Sequence, residues 1–331
     1  MKRIRTGVIG VGHLGQHHAR QYATLPGSQL IGVVDSDPGR AKLIADRHAV
    51  RSYPQINSLL ADVEAVSIAA PTSAHFSLAK SCLLAGKHVL VEKPVTVTPA
   101  EARELIELAK AHGCLLQVGH SERFNPIMQL MRQHIDRPAF IECHRLSSFG
   151  ERGTDVDVVL DLMIHDLDLV LSFAPGPLEE VRAAGVPVLS RNIDIANARL
   201  VFGGGCVANL TSSRVSMTKM RRLRVFQRDR YVSMDFQTRQ GMISRRLQQT
   251  GERPTIEVEH FRGTEEEPLK LEVESFLQAI ATGSQPVVGG EAGLAVLELA
   301  YQVLDAIGHF LERHTAGGDE RDAIGSTMLP N

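Results

Sequence analysis

Gly10-Val11-Gly12-His13-Leu14-Gly15 stands between a short apolar run, residues 5–9, and a segment with helical spacing, residues 14–25. A strand, a glycine turn and a helix in that order restrict a chain more than any bulk property. The first glycine permits the tight turn, the second lets main chain approach a pyrophosphate, and the third lets the helix pack on the sheet. The helix start then offers its N–H groups to the anion. Asp35 ends the next apolar run, residues 30–34, twenty residues after Gly15. A carboxylate there holds the adenosine ribose hydroxyls and repels a 2′-phosphate. The expected cofactor is therefore NAD, bound by Gly10, Gly12, His13, Leu14, Gly15 and Asp35, with NADP disfavoured. Arg40 is near enough in sequence to weaken that preference.

The same rhythm continues. Apolar strand-like runs at residues 65–68, 88–91 and 115–118 alternate with helical spacing at residues 41–47, 73–84 and 99–112. Nearly all-apolar strands belong to a parallel sheet buried on both faces, and strand–helix alternation means βαβ units. The fold class is α/β, an N-terminal doubly wound Rossmann sheet. After Phe124-Asn125-Pro126 the pattern changes. A helix at 126–133, a β-like run at 139–148 and an apolar helix at 156–173 come first. Short strands follow at 196–202, 206–213, 222–227, 231–235, 242–247 and 255–260, separated by Gly, Asn and Asp. Successive hairpins make a mainly antiparallel sheet in a C-terminal α+β domain. Helices at 269–281 and 291–311 close the pattern. With 331 residues, about twice the ~150 of one domain, the expected division is 1–122, 123–314 and a loose tail, 315–331.

Several functions are disfavoured by what the chain lacks. Lys plus Arg, 36, nearly balances Asp plus Glu, 38, so no basic field recruits nucleic acid. Cys82, Cys114, Cys143 and Cys206 lie far apart with no CxxC pair, which argues against a metal site or a disulfide framework. No run approaches ~18 apolar residues, so no membrane insertion is expected, and the expected location is cytoplasmic.

At Glu92-Lys93-Pro94 a resemblance takes over. Together with the glycine turn, Asp35, Ala70-Pro71-Thr72 with His75, Arg123-Phe124 and Asp161-Leu-Met-Ile-His165-Asp166, it resembles the glucose–fructose oxidoreductase/inositol dehydrogenase family. The closing Phe276, Ala279-Ile280, Gly283, Pro286 and Gly293-Leu294 extend the likeness over nearly the whole chain. The resemblance implies a substrate domain with an open-faced antiparallel sheet. It also implies a catalytic group of Lys93, Asp161 and His165, with Pro71, Thr72, His75 and Glu92 lining the cofactor cleft. The residues agree independently. On a continuous α-helix, Asp161, His165 and Asp168 fall at i, i+4 and i+7 and form one polar stripe on an otherwise apolar helix. Such a stripe can also simply face solvent. Asp161 one turn before His165 can orient the imidazole and stabilise its protonated form. Lys93 alone would read as a solvated lysine, but it follows an apolar strand at the sheet's carboxyl edge, where ligands bind. Burial beside a cationic nicotinamide would lower its pKa from about 10.4. Lys93 and His165 can exchange the roles of base and hydrogen-bond donor.

The runs Gly119–Pro126, Phe149-Gly150-Glu151-Arg152, residues 216–226 and Tyr231–Asp235 are similar to family members of bacterial lipid A biosynthesis. That likeness implies a UDP-sugar substrate, UDP-N-acetylglucosamine, oxidised at its 3-hydroxyl, and coupling to an aminotransferase. Lys219, Arg221, Arg222 and Arg224 form a basic run that suits either a diphosphate or a solvated strand edge. Arg123 suits a phosphate or substrate hydroxyl, or an ion pair between domains. Competing readings are another sugar or an inositol as substrate, bilin reduction, and a catalytically silent NAD-binding sensor. Residues 196–202 and 206–213 carry apolar side chains at alternating and adjacent positions. A homodimer or homotetramer through that sheet is expected.

Overall fold

The computed structural model of the chain describes residues 3–150, 156–247 and 255–325; Glu151, Arg152 and residues 326–331 of the expected tail lie outside them. The order is β1 (Ile4–Ile9), α1 (Gly15–Thr24), β2 (Ser28–Val34), α2 (Pro38–His48), β3 (Arg51–Ser52), α3 (Ile56–Asp62), β4 (Ala65–Ile68), α4 (Thr72–Leu84), β5 (His88–Glu92), α5 (Pro99–Ala111) and β6 (Leu116–Gly119). Then come α6 (Pro126–Met131), β7 (Phe140–Leu146), α7 (Ile164–Phe173), β8 (Leu178–Val186), β9 (Ile195–Phe202), β10 (Val207–Ser213) and β11 (Met220–Gln227). The chain ends with β12 (Arg230–Asp235), β13 (Gln240–Leu247), β14 (Thr255–Arg262), α8 (Pro268–Thr282) and α9 (Gly290–Gly325).

Local chemistry sets several of these boundaries. Asp37 caps α2 by accepting from the Gly39 and Arg40 N–H groups, and Thr98 and Glu101 form a reciprocal capping box at α5. β3 and α3 were not foreseen. A two-residue strand with both side chains exposed has no apolar signal to read.

Two units result, Met1–Gln129 with Thr264–Glu298, and Leu130–Gly263 with Leu299–Asn331. Besides the expected break after residue 122, the chain returns to the first unit over Thr264–Glu298. The cause is α8, whose Val273, Phe276 and Leu277 share a core cluster with Val8, Ala19, Tyr22 and Leu90. In the first unit a six-stranded sheet runs β3-β2-β1-β4-β5-β6, with every pairing parallel. Strand order reverses between β1 and β4, and a crevice opens at the carboxyl ends of strands at such a point.

The second unit carries an eight-stranded sheet, β14-β13-β12-β11-β7-β10-β9-β8. It is antiparallel except for the β7–β10 pair, which is parallel. On one face Ile141, Cys143, Ala198, Leu200, Leu210 and Leu223 are buried, and α7 packs on β7. The other face is half-buried or exposed. On β9 and β10 it presents Ile195, Val201 and Val207, but also Asn197, Arg199, Asn209 and Thr211. The apolar residues expected on both faces are therefore present, although the open face is mixed.

Two helices depart from the sequence pattern. The segment expected as one α-helix from 156 to 173 contains a π-helical turn, Val159–Met163, before α7. α9 continues to Gly325, so residues 315–325, expected to be loose, are helical. By length and composition alone Gly290–Arg313 would pass as a membrane span. Within it Val296, Leu297, Leu299, Ala300, Val303 and Ile307 are buried in protein.

Candidate nucleotide and catalytic site

At the β1–α1 turn the three glycines have separate reasons. Gly10 has φ +80°, and a Cβ there would sit 2.8 Å from the Ala69 carbonyl oxygen. A Cβ on Gly15 would lie 1.8 Å from the Gly10 carbonyl oxygen, so the helix can approach the sheet only without it. Gly12 has just the Arg40 Nη1 atom within reach, at 3.6 Å. The protein itself therefore demands Gly10 and Gly15 and leaves the space above Gly12 open. Among the described residues no side chain caps α1, and no acid stands in its first turn. His13 and Leu14 are exposed beside it. Asp35 holds this turn from the end of β2: its carboxylate accepts the Val11 N–H at 2.7 Å and the Asp37 N–H at 2.9 Å. Arg40 Nη1 is 3.5 Å from the same carboxylate. An uncapped helix start, a side-chain-free approach and a carboxylate at the next strand end fit a dinucleotide.

Two strands across, β5 ends in Glu92, with Lys93 next and a cis Lys93–Pro94 peptide. The Glu92 carboxylate accepts the Lys93 N–H at 3.3 Å and meets His18 Nε2 at 2.9 Å. Burial pushes this carboxyl up, but the His18 bond and charge and the Lys93 charge together hold it below its ordinary value. His75, from α4, is buried, with Nδ1 2.8 Å from the Pro94 carbonyl and Nε2 2.9 Å from that of Ala70. Burial pulls its pKa down, against two carbonyl contacts that favour the charged ring. His75 thus ties the start of α4 to the turn after Lys93. Pro71 is exposed and Thr72 half-buried at the same helix start. Arg123 is half-buried in the 3-10 turn Ser121–Phe124 after β6.

In the second unit Asp161 sits in the π-helical turn, and His165 in the first turn of α7. Both are half-buried, whereas Asp166 and Asp168 are buried. The expected single α-helix is thus a π-helical turn carrying Asp161 joined to an α-helix carrying His165. The helix is anchored by groups that the sequence left unassigned. Arg145 of β7 grips Asp166 with two bonds, Nε–Oδ2 at 3.1 Å and Nη2–Oδ1 at 2.8 Å. Asp194 accepts from the Val188, Leu189 and Ser190 N–H groups at 2.7–2.8 Å. Arg214 lies 3.4 Å from Asp194 and donates to the carbonyls of Val156 and Ile193. The only signal in the sequence was a charge set in an apolar run, visible at Asp166 and absent at Arg214.

The basic run splits by register. Arg222 and Arg224 face the open side, 3.6 Å from Asp235 and 3.0 Å from Glu142. Arg221 stands opposite Arg145 on the other face. Arg222 and Arg224 are therefore paired across strands. Among the described residues no group of three or more His, Cys, Asp or Glu side chains is arranged to hold a metal ion.

Residues 4–120 match the oxidoreductase family with an NAD-binding Rossmann fold, and residues 128–231 match the GFO/IDH/MocA C-terminal domain. The chain is 42% identical to the UDP-N-acetylglucosamine 3-dehydrogenase of Acidithiobacillus ferrooxidans, over 95% of this chain and 100% of that protein. The solved structure of that enzyme superposes with a TM-score of 0.88, covering 94% of this chain and 100% of that one at 41% identity. The inositol 2-dehydrogenase of Rhizobium meliloti is 27% identical, over 90% of this chain and 94% of that protein. A 3-ketoreductase from Actinomadura kijaniata, at 22% identity, 92% and 97% coverage and a TM-score of 0.77, shares the fold. With both domains matched in order and a relative of this identity aligned from end to end, the chain belongs to the Gfo/Idh/MocA family of NAD-binding oxidoreductases.

Proposed function

We propose that the chain oxidises the 3-hydroxyl of UDP-N-acetylglucosamine to a 3-keto sugar nucleotide with NAD as cofactor. The observation that carries this reading is the 42% identity to a UDP-N-acetylglucosamine 3-dehydrogenase across the whole of that enzyme. Bound NAD supplies the hydride acceptor for the carbon-bound hydrogen. His165 takes the hydroxyl proton, and Asp161 steadies the imidazolium that forms. Lys93 donates a hydrogen bond to the same oxygen as its negative charge grows. Gly12, His13 and Leu14 leave the α1 start open to the pyrophosphate, and Asp35 takes the ribose hydroxyls, favouring NAD over NADP. Arg123 is the candidate for phosphate or sugar hydroxyls. A keto sugar nucleotide suits an aminotransferase, and on this reading the enzyme acts in the cytoplasmic synthesis of the 2,3-diamino sugar of lipid A.

Oxidation of a secondary alcohol by NAD is uphill at neutral pH, so the product must be withdrawn for the reaction to be seen. The test incubates the protein with NAD, UDP-N-acetylglucosamine, an aminotransferase and an amino donor, and looks by mass spectrometry for a 3-amino-3-deoxy sugar nucleotide. No such product, with steady NADH from an inositol, would reject the substrate and favour the inositol reading.

The open sheet face supports a dimer. Val201, Val207, Phe140, Phe226 and Tyr231 stand in one row by register. The Phe140 and Phe226 rings lie 5.8 Å apart, and the Phe226 and Tyr231 rings 4.9 Å apart. An isologous pairing of two such faces would bury that row. Light scattering showing a monomer at micromolar concentration would refute it.

A further inference from the structure

Within the first unit a buried polar chain runs from α1 to the end of β5. The Tyr22 hydroxyl is 2.8 Å from Ser67 Oγ, Ser67 Oγ is 3.1 Å from His18 Nδ1, and His18 Nε2 is 2.9 Å from Glu92 Oε1. Tyr22, Ser67 and His18 are 0–1% exposed, so water does not complete their bonds. The protons can be placed by elimination. An ionised Glu92 only accepts, so His18 carries its hydrogen on Nε2. On the side away from Glu92, His18 Nδ1 and the Tyr22 hydroxyl both meet Ser67 Oγ, which fixes the ring in place. The other carboxylate oxygen accepts the Lys93 N–H at 3.3 Å. A Cβ on Gly119 would come within 3.0 Å of that oxygen, so the glycine keeps its place clear. The titratable groups around Glu92 are His18 from α1, His75 from α4 and Lys93 from its own turn.

We propose that His18 is a positioning residue for Lys93, acting through Glu92. Its imidazole N–H fixes the Glu92 carboxylate as an anion under the Lys93 turn, and that anion holds the turn in place and keeps the lysine an ammonium. Lys93 then serves the reaction as a fixed cation, and the proton goes to the other partner. This rests on the reading of Lys93 as a group that touches the substrate oxygen, so the test must also work without a sugar.

Competitive labelling with acetic anhydride across pH, with NAD present and the Lys93 peptide read by mass spectrometry, reports the Lys93 midpoint directly. Glu92→Gln and His18→Leu should lower that midpoint by about one pH unit or more, the effect of losing an opposite charge nearby. His18→Gln, which keeps an N–H at similar reach, should recover part of the shift. NAD is kept saturating for each variant, so a change in its affinity does not enter the measured midpoint. A purely structural role would lower the melting temperature and leave the midpoint in place. A folded Glu92→Gln with an unmoved midpoint overturns the proposal. If His18→Leu does not fold, Glu92→Gln and His18→Gln decide. Failure to turn over UDP-N-acetylglucosamine would reject the substrate and leave this measurement intact.

Discussion

Substituting alanine at Gly12 and at Gly15 separates what the nucleotide turn owes to its ligand from what it owes to its own packing. At Gly15 the new Cβ would stand 1.8 Å from the Gly10 carbonyl oxygen. That is more than an ångström inside any tolerable contact, and the obstacle is main chain. Gly10 cannot retreat freely, because its N–H is bonded to the Val34 carbonyl at 2.8 Å. Overpacking of this kind costs about 1–3 kcal/mol or more. At about 2–4 °C per kcal/mol for chains of this class, Gly15→Ala should melt about 5–10 °C lower without any cofactor. At Gly12 the nearest atom is the end of the flexible Arg40 side chain, at 3.6 Å. The apoprotein should therefore melt within about 1–2 °C of the unchanged protein. Binding should suffer instead, since a methyl group would hold the pyrophosphate off the main-chain N–H groups. One lost hydrogen bond to a charged group is worth about 1.5–3 kcal/mol, or about 10–100-fold in the NAD dissociation constant. Thermal melts and calorimetric titration of NAD on both variants check this. Unchanged NAD affinity in Gly12→Ala would refute the placement of the pyrophosphate, and an unchanged melt in Gly15→Ala would refute the packing argument.

Asp35→Ala should weaken NAD and narrow its advantage over NADP, since Arg40, now 3.5 Å from Asp35, would be released toward a 2′-phosphate; NADP binding the unchanged protein as tightly as NAD would sink this. Lys93→Met and His165→Asn should each lower turnover by about 10²–10⁴-fold with NAD affinity nearly intact. Near-normal rates in His165→Asn would make Lys93 the base. Asp194 sets a pH dependence: burial pushes its carboxyl up, but the Ser190 hydroxyl and the Ser190, Val188 and Leu189 N–H groups pull it well below its ordinary value. A folded pKa below the unfolded one contributes stability that is present above about pH 4 and lost as pH falls further. Asp194→Ala should therefore be less stable at pH 7 and show a flatter acid limb in denaturant midpoints between pH 7 and pH 3; parallel acid limbs would contradict it.

The first half of the chain was legible because its constraints are local. A short strand apolar but for one serine, such as Ala65–Ile68, reads as a strand buried on both faces, and all four residues are buried; the glycine turn states its own geometry. Boundaries there were read to within a few residues. The second half depends on contacts between distant residues. β8, LEEVRAAGV, alternates poorly and takes its place from pairing with β9. The node of Asp194 and Arg214 joins positions twenty residues apart that carry no shared pattern.

The basic run shows most clearly where sequence stops. Four cations within six residues look like one patch, and a strand divides them. Side chains alternate between faces with a period of two, so a shift of one residue exchanges every side chain's surroundings. Register with β7 sends Arg222 and Arg224 to Asp235 and Glu142, and sends Arg221 to the face of Arg145. The same holds from Val159 to Phe173, where a π-helical turn passes into an α-helix with no mark in the sequence. Residue types were legible in both places, but direction came only from hydrogen-bonding pattern. A diphosphate reader should therefore be sought by testing Arg221 and Arg224 separately: loss of sugar-nucleotide affinity in Arg221→Met with Arg224→Met unaffected would follow from the register, and the reverse order would contradict it.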